Sequence, residues 1–170
     1  MMDVKRAVFI STDKLVAPNN VYGATKMLAE RLWIQGNAYA PHGTEFVTAR
    51  WANVAQSRGS VIPLWQSQRD AGQPLSLTHP SMSRFWLSLP EAVTYAWYTA
   101  CHVPRGCLFV PHLPAFAVAD LLRAIAPDAS ATITGIRPGE KLAEALLTDD
   151  ERQRARPVID AESDVFGYII

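Results

Sequence analysis

The chain has 170 residues, with 16 Lys+Arg against 16 Asp+Glu and a formal net charge of zero. That balance excludes a sequence-blind nucleic-acid binder, which needs a basic excess to displace counterions from phosphates. With 49% hydrophobic and 19% charged residues it is globular rather than disordered, and its length suits one ordinary domain or one and a half small ones.

The first residues lead straight into Ala7-Val8-Phe9-Ile10. This run is too short for a signal peptide and reads as a buried strand opening into the loop Ser11-Thr12-Asp13-Lys14. Pro18-Asn19-Asn20 is loop chemistry, with Asn20 placed to cap a helix over 21–39. Tyr22, Met27, Leu28, Leu32 and Trp33 recur at helical spacing, and Pro41-His42-Gly43 ends the helix. A second strand over 45–54 runs through Phe46, Val47, Ala49 and Trp51. Strand, helix and strand in that order predict a βαβ unit and a parallel sheet.

Beyond Ser57-Arg58-Gly59-Ser60 the pattern predicts a short helix at 61–69, a strand at 75–78, a helix at 90–101 and a strand at 107–110. Cys101 and Cys107 form neither a disulfide framework nor a zinc spacing, and the histidines show no ligand spacing. No metal is expected, and a reducing cytoplasm is the expected home. The apolar stretch 110–126 is interrupted by Asp120 and Arg123, so no membrane span is expected. An amphipathic helix at 118–125, a strand at 131–136 and a last helix at 140–147 follow. Asp149-Asp150-Glu151 reads as a solvated run in a charged surface tail over 149–156. Trp51, Trp65, Trp86 and Trp97 are expected in the core or an interface. The fold class is α/β: part of a Rossmann-like parallel sheet plus a small mixed lobe. Residues 1–61 form the sheet unit with the reactive residues, and 62–170 mainly the lobe, with 90–110 returning to the sheet.

The sharpest chemical signal is Tyr22-Gly23-Ala24-Thr25-Lys26. Residues four apart share a helix face, so the Tyr22 hydroxyl and the Lys26 ammonium can approach one bound molecule. A nearby ammonium favours a phenolate, which makes Tyr22 a candidate proton acceptor for a hydroxyl being oxidised. Ser11-Thr12-Asp13-Lys14 stands just before this helix at the carboxyl end of a parallel strand, the edge at which open α/β sheets bind ligands.

Ser-Thr-Asp-Lys followed by Tyr-x-x-x-Lys resembles the extended short-chain dehydrogenase/reductase superfamily and, within it, the nucleotide-sugar 4,6-dehydratases. Further blocks narrow the resemblance: Asn53-Val54 before Ser57-Arg58-Gly59-Ser60-Val61-Ile62-Pro63; Thr78-His79-Pro80-Ser81-Met82-Ser83-Arg84-Phe85-Trp86; Leu108-Phe109-Val110-Pro111; and Gly135-Ile136-Arg137-Pro138-Gly139-Glu140-Lys141. In order and spacing they are similar to the inverting UDP-N-acetylglucosamine 4,6-dehydratases, which open pseudaminic acid biosynthesis. The resemblance covers about 4–151.

What the resemblance implies is an NADP-dependent lyase, with NAD as the alternative cofactor and a UDP-sugar as substrate. Tyr22 would deprotonate the sugar 4-hydroxyl while hydride leaves C4, and Lys26 would hold the nicotinamide ribose. Ser11 and Asn53 would also face the cofactor. Lys14 would remove the C5 proton, Asp13 would protonate the departing 6-hydroxyl, and Thr12 would hydrogen-bond the 4-oxygen. Arg58, Arg84 and Arg137 would grip the diphosphate through paired hydrogen bonds. Glu140 would take ribose hydroxyls and Asn53 the sugar or diphosphate. The 21–39 helix corresponds to one that pairs subunits in related enzymes, which implies a homo-oligomer.

The sequence also departs from that pattern. Its nine glycines contain no G-x-G-x-x-G or G-x-x-G-x-x-G, the turn that holds a dinucleotide pyrophosphate. Ala52 and Gln56 stand where the family usually has glycine. The resemblance begins at the middle of a full-length enzyme. It therefore implies either part of a longer dehydratase or a UDP-sugar-binding half-chain completed by a separate dinucleotide-binding partner. By itself the chain is expected to turn over little or not at all.

Overall fold

The computed structural model describes residues 4–40 and 43–170; Pro41 and His42 of the expected helix stop lie outside them. Strand β1 (Arg6–Thr12) runs into a 3-10 turn (Asp13–Leu15), then helix α1 (Val21–Tyr39) and strand β2 (Glu45–Trp51). β1 and β2 are parallel and in register from Arg6 opposite Glu45 to Thr12 opposite Trp51. Strand β5 (Leu108–Pro111) adds in parallel on the other side of β2. Two later strands, β8 (Arg156–Ile159) and β9 (Val165–Ile169), close the sheet in the order β1-β2-β5-β9-β8, with β9 antiparallel to both its neighbours.

Side chains alternate across a strand, so the register decides which helix each face meets. Phe9 of β1 and Phe46 of β2 meet Trp33 of α1, at 5.6 and 5.0 Å between ring centroids, and the Trp33 indole N–H donates to the Val47 carbonyl. Phe109 of β5 lies opposite Ala49, on the other face. There it joins Tyr95 and Tyr98 of helix α3 (Leu89–His102), together with Phe166 of β9. Helices therefore cover both faces of the sheet. Gly167 is required by this packing, since a Cβ there would come within 2.6 Å of the Phe109 ring.

The chain divides into two compact units. The sheet unit takes Met1–Ala52, Pro90–His112 and Ala145–Ile170; the second takes Asn53–Leu89 and Leu113–Glu144. The sheet unit thus ends nearer 52 than 61, because β2 stops at Trp51, and it includes 145–170, which the sequence pattern assigns to the lobe. The second unit holds helix α2 (Val61–Asp70), the parallel pair β3 (Leu75–Leu77) and β7 (Ala131–Ile133), the antiparallel pair β4 (Ser83–Phe85) and β6 (Ala115–Ala117), and helix α4 (Val118–Ile125). Its core is Trp65, Leu75, Leu77, Met82, Val118 and Leu122.

Two expectations are overturned. Residues 140–147 form no helix: the Leu142 carbonyl, which a helical ladder would offer to the Leu146 N–H, accepts instead from the Ser83 N–H, and the chain beyond it is drawn to the Arg50 guanidinium through the Leu146 carbonyl. The run Asp149-Asp150-Glu151 is not simply solvated. It opens helix α5 (Asp149–Arg154) through a capping box between Thr148 and Glu151, and the Glu151 side chain is buried.

Candidate functional site

At the carboxyl end of β1 the backbone turns at once into the 3-10 turn, capped by the Thr12 hydroxyl, which accepts from the Lys14 N–H. The Thr12 hydroxyl also donates to Asp13 Oδ1 at 3.0 Å. The Lys14 ammonium reaches both carboxylate oxygens of Asp13, at 2.8 and 2.9 Å. Asp13 is buried while the Lys14 side chain keeps 23% of its surface open. A charged pair in this setting is a proton donor and acceptor in direct contact. The neighbouring Ser11 hydroxyl is buried with no hydrogen-bond partner.

α1 docks straight onto this turn. Asn20 caps it by accepting from the Gly23 N–H at 2.8 Å. At Gly23 a Cβ would stand 2.3 Å from the Lys14 carbonyl oxygen, so only glycine lets the helix come this close. Tyr22 is thereby held on the turn next to Lys14, with its own side chain 55% exposed. Lys26, one turn on, places its ammonium 5.9 Å from the Tyr22 ring centroid and 5.5 Å from that of Phe9. Thr12, Asp13, Lys14, Tyr22 and Lys26 therefore sit on two touching turns.

The other expected residues belong to the second unit. Asn53 opens it and Arg58 lies exposed in a turn over 57–60, with Gly59 at φ +77°. Arg84, on β4, donates to the Ser83 and Leu142 carbonyls. Arg137 and Glu140 bracket a tight turn whose Pro138 and Gly139, at φ +82°, are the residues a type II turn requires. The turn is doubly closed: the Glu140 N–H donates to the Arg137 carbonyl, and the Arg137 N–H donates to the Glu140 carboxylate. The Leu142 bond to Arg84 links this turn region to β4, whereas Asn53 and Arg58 stand in a separate loop. Among the described residues no group of three or more His, Cys, Asp or Glu side chains could hold a metal.

Sequence reasoning misses Phe9, the platform under Lys26, and a buried trio behind α1. Arg50 is fully buried and binds Glu30 of α1 at 2.5 Å and Glu151 of α5 at 2.8 Å. Burial opposes the charge on Arg50, but its hydrogen bonds to Glu151 and Glu30 outweigh it and raise its pKa. Burial likewise works to raise Glu151, yet hydrogen bonds from Arg50 and the Thr148 backbone hold it down at about 2. The signals available were an arginine between the apolar Ala49 and Trp51 of a strand and a Thr-x-x-Glu spacing at 148–151.

A model of the polysaccharide biosynthesis protein family matches residues 1–161. The chain belongs to that family. Within it, the chain is 42% identical over 162 residues to a protein of Methanocaldococcus jannaschii named an uncharacterized membrane protein, covering 88% of this chain and 48% of that one. It is 38% identical over 150 residues to a UDP-N-acetylglucosamine 4,6-dehydratase (inverting) of Campylobacter jejuni, covering 87% of this chain and 45% of the relative. The latter bears the name that the motif blocks themselves suggest. The crystal structure of Pen from Bacillus thuringiensis superposes with a TM-score of 0.89 at 33% identity, over 98% of this chain and 53% of that one. The chain spans about half the length of the curated relatives it matches. No helix among the described residues is long and apolar enough to cross a membrane.

Proposed function

We propose that this chain carries the proton-transfer and UDP-sugar-binding part of an NADP-dependent lyase. It converts UDP-N-acetylglucosamine to a UDP-4-keto-6-deoxy sugar, with inversion at C5, for polysaccharide biosynthesis. The observation that carries the reading is the Asp13–Lys14 contact beside the Tyr22/Lys26 turn. Removing water across C5 and C6 needs a base and an acid together. Passing one proton from the Lys14 ammonium to the Asp13 carboxylate, 2.8 Å away, creates both at once: a neutral amine and a neutral carboxyl. Lys14 then takes the C5 proton, and Asp13 gives its proton to the departing 6-hydroxyl. Tyr22 accepts the 4-hydroxyl proton, while the Thr12 hydroxyl steadies the 4-oxygen.

The unpartnered Ser11 hydroxyl, the exposed Tyr22 hydroxyl and the Lys26 ammonium fit the ribose and carboxamide end of a nicotinamide dinucleotide. Held by Ser11, Tyr22 and Lys26, a nicotinamide dinucleotide would supply the hydride acceptor for C4 and the hydride donor for C6. Asn53 is assigned to the cofactor or the sugar, Arg58, Arg84 and Arg137 to the diphosphate, and Glu140 to a ribose. Free Cys101 and Cys107 suit a reducing cytoplasm. Exposed Val21, Leu28, Leu32 and Tyr39, along one seam of α1, suit a homo-oligomer.

A second reading, a non-catalytic UDP-sugar-binding half-chain needing a separate dinucleotide-binding partner, draws on the absence of a glycine-rich turn from the sequence. One experiment separates the two. The chain, alone and with a glycine-rich dinucleotide-binding segment from a relative, is incubated with UDP-N-acetylglucosamine and NADP in D2O and followed by NMR. A 6-deoxy product deuterated and inverted at C5, lost in Lys14→Met, is expected from the pair. UDP-sugar binding without product supports the second reading, and neither signal overturns both.

A further inference from the structure

Tyr22, Lys26 and Glu30 are spaced four apart on α1 and form one ridge of the helix. Tyr22 is exposed, Lys26 is half-buried, and the Glu30 side chain is 2% exposed. Both Glu30 oxygens are held by Arg50, through Nε at 3.1 Å and Nη2 at 2.5 Å. A guanidinium gripping a carboxylate along two parallel bonds fixes direction as well as distance. The same guanidinium holds both oxygens of Glu151, at 2.8 and 2.9 Å, and the Leu146 carbonyl at 2.9 Å. Glu151 is fixed in turn by its capping box with Thr148, and Arg31 stands 3.7 Å from it at the rim. Two buried carboxylates thus face one buried and one exposed guanidinium. Arg50 itself lies opposite Ser11 in the β1–β2 register, so its own backbone is fixed against the strand that ends in Thr12.

We infer that Arg50, clamped between Glu30 and Glu151, is a positioning residue that sets the rotation and axial height of α1 and so aims Tyr22 and Lys26 at the Asp13–Lys14 pair. This rests on the dehydratase reading for its chemistry, though not for its geometry. Eight residues separate Glu30 from Tyr22, about 12 Å along the axis. At its near end α1 is held by the Gly23 contact and toward its far end by hydrogen bonds of Trp33 and Asn37 to β2; the buried clamp at Glu30 fixes the stretch between them, which carries Lys26 and leads back to Tyr22. An apolar contact slides, whereas a bidentate ion pair at 2.5 Å does not.

The test uses Glu30→Gln, which keeps the volume and removes the charge, and Glu30→Asp, which keeps the charge and retracts it, in case the first variant does not fold. Leu75→Ala, a buried truncation in the core of the second unit, whereas the clamp lies wholly in the sheet unit, serves as the comparison of similar lost stability. Two readouts are taken. The first is the 13C and 1H NMR signals of the Tyr22 ring, assigned by their loss in Tyr22→Phe. The second is dehydration of UDP-N-acetylglucosamine by the assembled enzyme. The expected result is a displaced Tyr22 ring signal in either Glu30 variant, with kcat down at least tenfold and KM within twofold, neither change occurring in Leu75→Ala. Glu30 variants whose Tyr22 signals move no more than in Leu75→Ala overturn the inference. If the wild-type protein makes no product, the dehydratase reading falls, while the ring signals still decide whether the clamp positions Tyr22.

Discussion

The two units are built on different principles. Among the described residues, the polar and charged ones buried as whole residues, from Ser11 and Asp13 through Glu30 and Arg50 to Glu151, belong to the sheet unit, whereas the second unit buries the side chain of Glu144, beside Lys141. The second unit has a core of Trp65, leucines, Met82 and Val118, and of its candidate ligand-binding residues Asn53, Arg58 and Arg137 are exposed while Arg84 and Glu140 are half-buried. The contrast follows from the work assigned to each. Proton-transferring groups act best when fixed in advance and shielded from water, where charges interact strongly. Arginines that grip a diphosphate must remain solvated until it arrives, so an apolar core suffices to carry them.

The contrast can be broken most forcefully at Arg50. Arg50→Met leaves two carboxylates buried without their counter-charge and is expected to cost about 3–5 kcal/mol, read by urea denaturation. Replacing Glu30 and Glu151 by apolar residues in the same variant is expected to recover most of it, since the loss comes from stranded charge rather than from missing volume.

Acid is the next probe. Glu151 falls from its ordinary 4.5 to about 2 in the folded protein, so it stabilises the fold above pH 4.5, and that contribution disappears as pH falls from 4.5 to 2. The loss is about 3 kcal/mol. In Glu151→Gln the stability curve below pH 5 is expected to flatten by that amount. An unchanged acid limb would show that the clamp is not what titrates.

The smallest effect belongs to the second unit. Gln56 sits at φ +57°, in the left-handed region where a side chain costs about 1 kcal/mol. Gln56→Gly is expected to raise stability by up to about that much, part being offset by the greater freedom of glycine in the unfolded chain. Differential scanning calorimetry reads the change.

Local pattern carried the reading where local forces decide. α1 and α4 begin and end where capping and amphipathic spacing place them, and β1 and β2 pair in parallel as the βαβ order requires. The Tyr22-to-Lys26 spacing alone puts both side chains on one face of α1. What stayed hidden depends on distant partners. The Leu142 and Leu146 carbonyls are claimed from Ser83 and Arg50, so the helical look of 140–147 misleads. β8 and β9 lie almost wholly beyond the charged tail read over 149–156, in a stretch to which the sequence pattern assigns no strand, and they form by pairing β9 with the distant β5 and β8 with β9. Leu28 and Leu32 share helical spacing with Trp33, yet they are 60% and 62% exposed while Glu30 goes inside. Periodicity finds an apolar stripe; what covers it is decided elsewhere.

The order of strands has a consequence for how this molecule comes into being. β9 lies inside the sheet, between β5 and β8, yet it is synthesised after every other strand described. The second unit has all of its chain by residue 144, whereas the sheet unit still waits for Ala145–Ile170. Arg50 meets Glu30 from 20 residues away but Glu151 only from 101, so a nascent chain holds a half-made ion cluster and a bare β5 edge for much of its synthesis. Such long closures are slow and leave sticky intermediates. The unit that holds the Asp13–Lys14 pair is thus the last to have all of its chain.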